Sequence, residues 1–340
     1  MPDQPSFNPP FFAGVDVGGT NVKIGIVDDN GSIVADTKFP TKSDDSPDIA
    51  VEQANRELTD LLAGQGLDWD QVAAVGVGTP GPLDVKAGLL LTPNNLPGWH
   101  NYPIKEKLSQ ATGKPVTFAN DANAAAFGEY WVGGGQAFAS MILLTLGTGV
   151  GGGIIINDNS IDGEHSHGAE IGHMTIDTSN EARVCSCGVK GHLEAYASAT
   201  ALVDRTQEAL SSPAGKNSCL RKSTNEASPL SALMISDAAD DGDEFAMQVV
   251  LETADYLARG IADLAHVIDP AAFILGGGMN FGGNHSPLGQ KFLERVVLST
   301  RKIVFPVLAE RLVVKFAELG SEAGFVGAAG LARTEYNRRS

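Results

Sequence analysis

Four side chains of the types that ligate zinc crowd into one short stretch. His173, Cys185, Cys187 and His192 lie between Glu170 and Glu194 in EIGHMTIDTSNEARVCSCGVKGHLE. Two thiolates and two imidazoles form a closed tetrahedral set with no open position for a reactive water, so the ion would act as a structural clamp. Gly188 and Gly191 behind the C-x-C pair strengthen the pattern, while His165 and His167 compete for the outer ligand positions. Two reduced thiols beside a surface histidine are the plain alternative. A clamp can hold the flanking carboxylates around a many-hydroxyl substrate, but it leaves the chemistry to other residues.

Phosphate chemistry is suggested by two glycine turns. FFAGVDVGGTNVKIGIVD, from Phe11 to Asp28, gives a strand, a turn at Gly18, Gly19 and Thr20, and a second β-branched strand. Backbone N–H groups in such a turn can converge on an anion that the missing Cβ atoms allow close. Lys23 adds a charge nearby; a plain tight hairpin fits this segment alone equally well. MILLTLGTGVGGGIIIN, residues 141–157, repeats the plan, with Gly147 on Gly18 and Ile155–Ile156 on Ile26–Val27. That is a duplication at domain scale, expected to present two glycine turns to one nucleotide across a cleft. Gly147, Gly149 and Gly152 also satisfy G-x-G-x-x-G, but strand follows instead of the helix a dinucleotide site needs, which excludes a nicotinamide dehydrogenase.

The elements that must position these groups are legible in outline. Ser46-Pro47 opens a helix near 48–63 with Ile49, Leu58, Leu61 and Leu62 on its apolar face. A buried strand follows at 72–78, then the polar loop TPNNLPGW with Asn94 and Asn95, whose amides suit hydroxyl recognition or an ordinary turn. A strand at 116–119 runs into an Ala-rich helix with Asp121 at the junction. Asp121 fits a helix cap as well as it fits the carboxylate that a phosphoryl-transfer site needs to take a hydroxyl proton. Further on, the sequence predicts a helix at 193–210, a polar loop at 211–230, and a buried helix at 244–268 ended by Asp269-Pro270. A strand then leads into Gly276, Gly277 and Gly278, a third turn suited to an adenosine face or to a generic loop. Helix at 287–303, strand at 311–317 and a last helix capped by Ser321 complete the chain.

Composition narrows the function class. Across 340 residues, 41 Asp and Glu against 24 Lys and Arg give a net charge of -17, which repels a phosphate backbone and argues against nucleic acid. Three cysteines, two of them in the metal stretch and Cys219 alone, do not make a disulfide framework, so a reducing cytoplasm is expected. The start, MPDQPSFNPPFF, lacks the pattern of a targeting signal and reads as a disordered tail over 1–10; no stretch has the length of a membrane span.

In this order the motifs resemble the ROK family of bacterial sugar kinases and repressors, part of the actin-like ATPase superfamily. The resemblance runs through DVGGTNVKIGIVD, GTPGPLD, NDANAAAFGE, LGTGVGGGI, EIGH, CSCGVKGHLE, LGGG and SEAGFVGAAGLA. It implies an α/β actin-like (ribonuclease H-like) fold of duplicated domains with an interdomain cleft: a small domain from 11–121 plus 321–340 and a large one at 122–320 with the zinc motif. It implies ATP-dependent phosphorylation of a hexose, most simply glucose, with fructose, mannose, allose or an N-acetylated hexosamine as alternatives. Asp121 would then be the general base. Asn95, Asn120, Glu170, His173 and Glu194 would bind ring hydroxyls, with His173 also a zinc ligand. Gly18, Gly19, Thr20, Thr148 and Gly149 would hold phosphates with Mg2+, and Gly277 and Gly278 would lie by the adenosine. A homodimer or higher homo-oligomer is expected. The family's C-x-C-G-x-x-G-C-x-E carries Cys where this chain has His192, which keeps a good ligand but removes one thiolate charge. A sugar-sensing repressor of the same family is the lesser alternative: those proteins carry an N-terminal helix-turn-helix, whereas about ten residues precede the first strand here and the charge is strongly negative.

Overall fold

The computed structural model describes residues 7–42, 46–93, 95–223 and 229–339. In chain order its elements are β1 (Phe11–Val17), β2 (Asn21–Val27), β3 (Ile33–Pro40), α1 (Pro47–Gly64), β4 (Val72–Thr79), β5 (Leu83–Asp84), β6 (Leu89–Leu90), α2 (Ile104–Thr112), β7 (Val116–Asn120), α3 (Asp121–Val132), β8 (Ser140–Leu146), β9 (Val150–Ile156) and β10 (Asn159–Ser160). There follow α4 (Glu194–Ala197), α5 (Ala199–Leu210), α6 (Leu220–Ser223), α7 (Ala232–Asp240), α8 (Glu244–Ile268), β11 (Ala272–Gly276), α9 (Pro287–Arg301), α10 (Pro306–Arg311), β12 (Val314–Phe316) and α11 (Ala323–Arg339).

Two compact units result. The first holds the chain up to Ala139, Gly153–Ala169 and the chain from Glu318; the second holds Ser140–Gly152 and Glu170–Ala317. The expected break at 121/122 therefore falls too early, because α3 packs against α11 within the first unit.

The first unit is built on a sheet of order β3-β2-β1-β4-β7, with β1, β4 and β7 parallel and β1–β2–β3 antiparallel. Alternation splits β1 between two cores: Phe11, Ala13, Val15 and Val17 join Ala54, Leu58 and Leu62 of α1 and Leu108 of α2, while Phe12 joins Phe325 and Val326 of α11. Register places Gly14 opposite Gly25 and Gly76, and a Cβ on any of the three would strike Phe325 or Ala328 of α11. That glycine row lets the helix lie directly on the strands.

The other sheet has the order β10-β9-β8-β11-β12, with β8, β11 and β12, all of the second unit, parallel; the division between units falls within β9, so β10 belongs to the first. β11 is buried along its whole length, as a central parallel strand should be, and α8 packs against α5, α7 and α9.

Several expectations change in detail. Residues 1–6 of the expected tail lie outside the described residues, as does Asn94. Residues 7–10 are no tail: Phe7 packs on the core, and the Asn8 N–H donates to Asp28 Oδ2 at 3.0 Å. Ser46 occupies the cap position of α1 without a side-chain bond, and Ile49 is exposed where Ala50, Val51 and Ala54 are buried. The helix expected at 193–210 breaks at Ser198, whose side chain caps α5 by accepting from the Ala201 N–H. The polar loop at 211–230 contains a 3-10 turn at Pro213–Asn217 and α6, with 224–228 outside the described residues. α10 was not foreseen, and the strand at 311–317 shortens to β12. Ser321 sits inside a 3-10 turn, Gly320–Glu322, and does not cap α11.

Candidate active site and metal cluster

The residues singled out from the sequence fall into two groups, one in each unit. In the first unit they collect at the carboxyl edge of the parallel strands β1, β4 and β7, where pairing aligns Asp16 with Gly78, and Thr79 with Asn120. Gly18 and Gly19 follow β1 directly. The Gly18 N–H donates to the Asn21 carbonyl at 3.0 Å, its carbonyl accepts from Thr41 Oγ1 at 2.6 Å, and the Thr20 carbonyl accepts from the Thr41 N–H at 2.9 Å. Asn95 stands against Gly19, where a Cβ would come within 3.3 Å of its side chain. The predicted phosphate turn and one predicted hydroxyl ligand are thus neighbours.

The junction of β7 and α3 resolves the question of capping. Asn120 is the cap, its Oδ1 accepting from the Ala122 and Asn123 N–H groups at 2.9 and 3.4 Å. Asp121 is the first residue of the helix, half-buried, and its Oδ1 also accepts from Ala122 at 2.8 Å. Because a neighbour carries the cap, the Asp121 carboxylate is not required for it, and an acid in the first turn sits favourably on the helix dipole. Asn120 keeps its amide NH2 for other partners.

Sequence reading passed over Asp16. This carboxylate ends β1 just before the glycine turn and lies against Gly324, whose missing side chain makes the space. Burial, then the charge of Asp121, push its pKa up to about 6, with Lys23 pulling the other way. Lys23 pairs across the ladder with Asp16 and donates to the Ser321 carbonyl at 3.0 Å, so its amine is anchored within this unit. The one signal available beforehand was an acid inside an otherwise apolar strand. Asn123 is a second omission: buried on α3, it donates to Asp162 at 2.8 Å.

In the second unit the metal stretch closes on itself. Ligand atoms of His173, Cys185, Cys187 and His192 all lie within 4.8 Å of one another. His173 Nδ1 is 3.3 Å from His192 Nδ1 and 3.7 Å from Cys185 Sγ, and Cys187 Sγ is 3.2 Å from His192 Nδ1. Tetrahedral zinc, with bonds of about 2.0 Å to nitrogen and about 2.3 Å to sulfur, separates neighbouring ligand atoms by roughly 3.3–3.8 Å, so the four fit a metal ion. His165 and His167 fall in the other unit and are not members of the cluster. Gly191, at φ 84, lets the loop turn so that the Ile176 N–H reaches its carbonyl at 2.8 Å.

Around this cluster stand the other predicted ligands. Glu170 is exposed and precedes the 3-10 turn Ile171–His173. Glu194 opens α4: its Oε1 accepts from Ser186 Oγ at 2.6 Å and its Oε2 from the Val150 N–H at 3.1 Å. The turn Gly147–Gly149 is held from below, its Gly147 and Thr148 carbonyls accepting from the Ala199 N–H at 2.8 Å and Thr200 Oγ1 at 2.9 Å. Gly277, at φ 89, lies against the end of β8, where the Met279 N–H donates to the Leu146 carbonyl at 2.9 Å. The second and third glycine turns are therefore adjacent, with Gly277 and Gly278 exposed.

Two sheet-based units, each carrying a glycine turn after an inner strand, define a nucleotide-dependent phosphotransferase scaffold, the actin-like ATPase fold. The ROK family model matches residues 12–335, and the chain belongs to that family. It is 34% identical to a glucokinase from Halalkalibacterium halodurans over 96% of each chain. Among solved structures it is similar to a ROK hexokinase from Thermus thermophilus, at 31% identity and a TM-score of 0.80 over 96% of this chain and 99% of that one. It is also similar to a ROK glucokinase from Streptomyces griseus in complex with glucose and AMPPNP, at 36% identity and a TM-score of 0.74 over 95% and 99% of the two chains.

Proposed function

We propose that the chain is an ATP-dependent glucokinase, which transfers the γ-phosphoryl group of ATP to the C6 hydroxyl of glucose. The observation that carries this reading is the likeness, over nearly the whole chain, to the Streptomyces griseus glucokinase whose structure holds glucose and AMPPNP. Asp121 takes the proton of the attacking hydroxyl, the sugar oxygen bonds to phosphorus, and ADP leaves. Asn95, Asn120, Glu170, His173 and Glu194 receive ring hydroxyls, with His173 offering Nε2 while Nδ1 faces the cluster. Gly18, Gly19, Thr20, Thr148 and Gly149 hold phosphates, and Gly277 and Gly278 flank the adenosine.

Mg2+ takes oxygen ligands, and Asp16 suits it: burial first, and then the charge of Asp121, raise its pKa, and a divalent cation would offset both penalties on the ionised carboxylate. Bound with the nucleotide, it would neutralise charge on the phosphates. The set His173, Cys185, Cys187 and His192 is read as a structural Zn2+ site whose thiolates offset the ion's charge and whose closed coordination leaves it no part in bond making. We place the enzyme in the cytoplasm, where these thiols stay reduced and ATP is at hand. Assembly into a homodimer or larger homo-oligomer is part of the reading, tested by sedimentation.

A coupled assay across a panel of hexoses and phosphoryl donors tests the substrate. Glucose with ATP should give the highest kcat/KM, and a clear preference for another sugar would reassign it. Asp121→Asn should lower kcat by about 10²- to 10⁴-fold while calorimetry still detects glucose. Unchanged turnover would remove Asp121 as the base.

A further inference from the structure

The metal stretch holds a contact that the zinc ligands do not explain. Ser186, the residue between Cys185 and Cys187, donates from Oγ to Glu194 Oε1 at 2.6 Å. The other oxygen of the same carboxylate accepts from the Val150 N–H at 3.1 Å, and Gly149 lies so close that a Cβ there would collide with it. Glu194 is thus gripped from two sides, by the cysteine loop and by the end of the Gly147–Gly149 turn.

We propose that Ser186 is a positioning residue: its hydroxyl aims the Glu194 carboxylate at the sugar and, through it, fastens the cysteine loop to the glycine turn of the second unit. The sugar part rests on the function proposed above; the fastening rests on the two hydrogen bonds alone.

Donor chemistry explains why a hydroxyl is wanted. Cys185 Sγ also lies 3.5 Å from Glu194 Oε1, where a thiol can donate. Among the described residues, Ser186 Oγ at 2.6 Å and the Val150 N–H at 3.1 Å are the nearer donors to this carboxylate. Each carboxylate oxygen accepts more than one hydrogen bond, so both retain capacity for a sugar hydroxyl while their orientation is fixed. A short bond to an ionised acceptor is of the stronger kind, and a carboxylate held before substrate arrives loses less entropy on binding.

The test uses the zinc-loaded full chain with Ser186→Ala and Ser186→Thr. Ser186→Ala should raise the glucose KM about tenfold with kcat within about twofold. Zinc content should stay at the parent level, and Ser186→Thr, which keeps the hydroxyl, should return KM to within about twofold. The backbone amide of Val150, followed by NMR, should shift in Ser186→Ala and not in Ser186→Thr. A parent-like KM or zinc loss in Ser186→Ala would overturn the positioning role. An unmoved Val150 amide would overturn the fastening whatever the substrate is. A shifted amide in a chain whose parent neither binds nor phosphorylates glucose would uphold the fastening and sink the function reading.

Discussion

A carboxylate held at a pKa of about 6 in the folded chain opposes folding whenever it is ionised. Asp16 is such a group, raised first by burial and then by Asp121. The sign follows from linkage: its neutral form is favoured by folding, so that contribution is complete below the ordinary value of 3.8 and is lost as pH rises through about 6. Asp16→Asn should therefore be more stable than the parent at pH 8, with the advantage gone by about pH 4. Thermal melts across that range check it, and the same variant should lose kinase activity if Asp16 serves the nucleotide. Ala169 offers a smaller case. It sits at φ 65, a conformation that costs a residue with a Cβ roughly 1–2 kcal/mol, immediately before Glu170. Ala169→Gly should raise the urea midpoint by the equivalent of about 1 kcal/mol, less whatever chain entropy the glycine adds. A lowered midpoint would show that the left-handed geometry is not strained there.

Helix against helix, α3 and α11 decide where Asp121 stands. A Cβ on Gly327 would strike the Ala124 carbonyl, and one on Gly128 would meet the Ala323 carbonyl, so the two backbones approach as closely as glycine permits. Gly327→Ala cannot be relieved by a side-chain rotation because the obstacle is backbone. It should cost several kcal/mol, seen as a large drop in denaturation midpoint or as insoluble protein. Gly66, with nothing within 4 Å of its Cβ position but φ 70, makes a mild comparison. Elements with strong periodic burial were legible: α8 runs from Glu244 to Ile268, the limits its apolar spacing predicted. α10 was not, because its six residues are too few to show a period and its Val307 is exposed. The break at Ser198 was missed for a related reason, since one serine between two helical stretches looks like helix until its side chain is seen bonding Ala201.

For the whole molecule, a bound metal is folding free energy wherever its ligands come from separated turns. His173 lies twelve residues before Cys185 and His192 five after Cys187, so the ion would close the whole loop. Zinc near one ion per chain is expected by elemental analysis, and prolonged chelation should lower the melting temperature. His192→Ala should lose the ion, whereas His165→Ala should keep it, since His165 is no member of the cluster. Equal loss in both variants would reassign the ligands.

What the residues determined unaided was local and repeated: two glycine hairpins of one plan, a C-x-C turn with histidines in reach, and an acid where a strand meets a helix. Such patterns are set by backbone needs within a few residues and survive in one dimension. The tertiary structure decided which partner each group took. Asp16 became perturbed because the fold buries it, packed against Gly324 some three hundred residues away, and sets it near the charge of Asp121. His173 rather than His165 joined the cysteines, Asn120 and not Asp121 took the cap position, and Ser186 found Glu194. Desolvation and hydrogen bonding depend on what folds back against a side chain, and contacts of that range are set by packing, not by spacing along the chain.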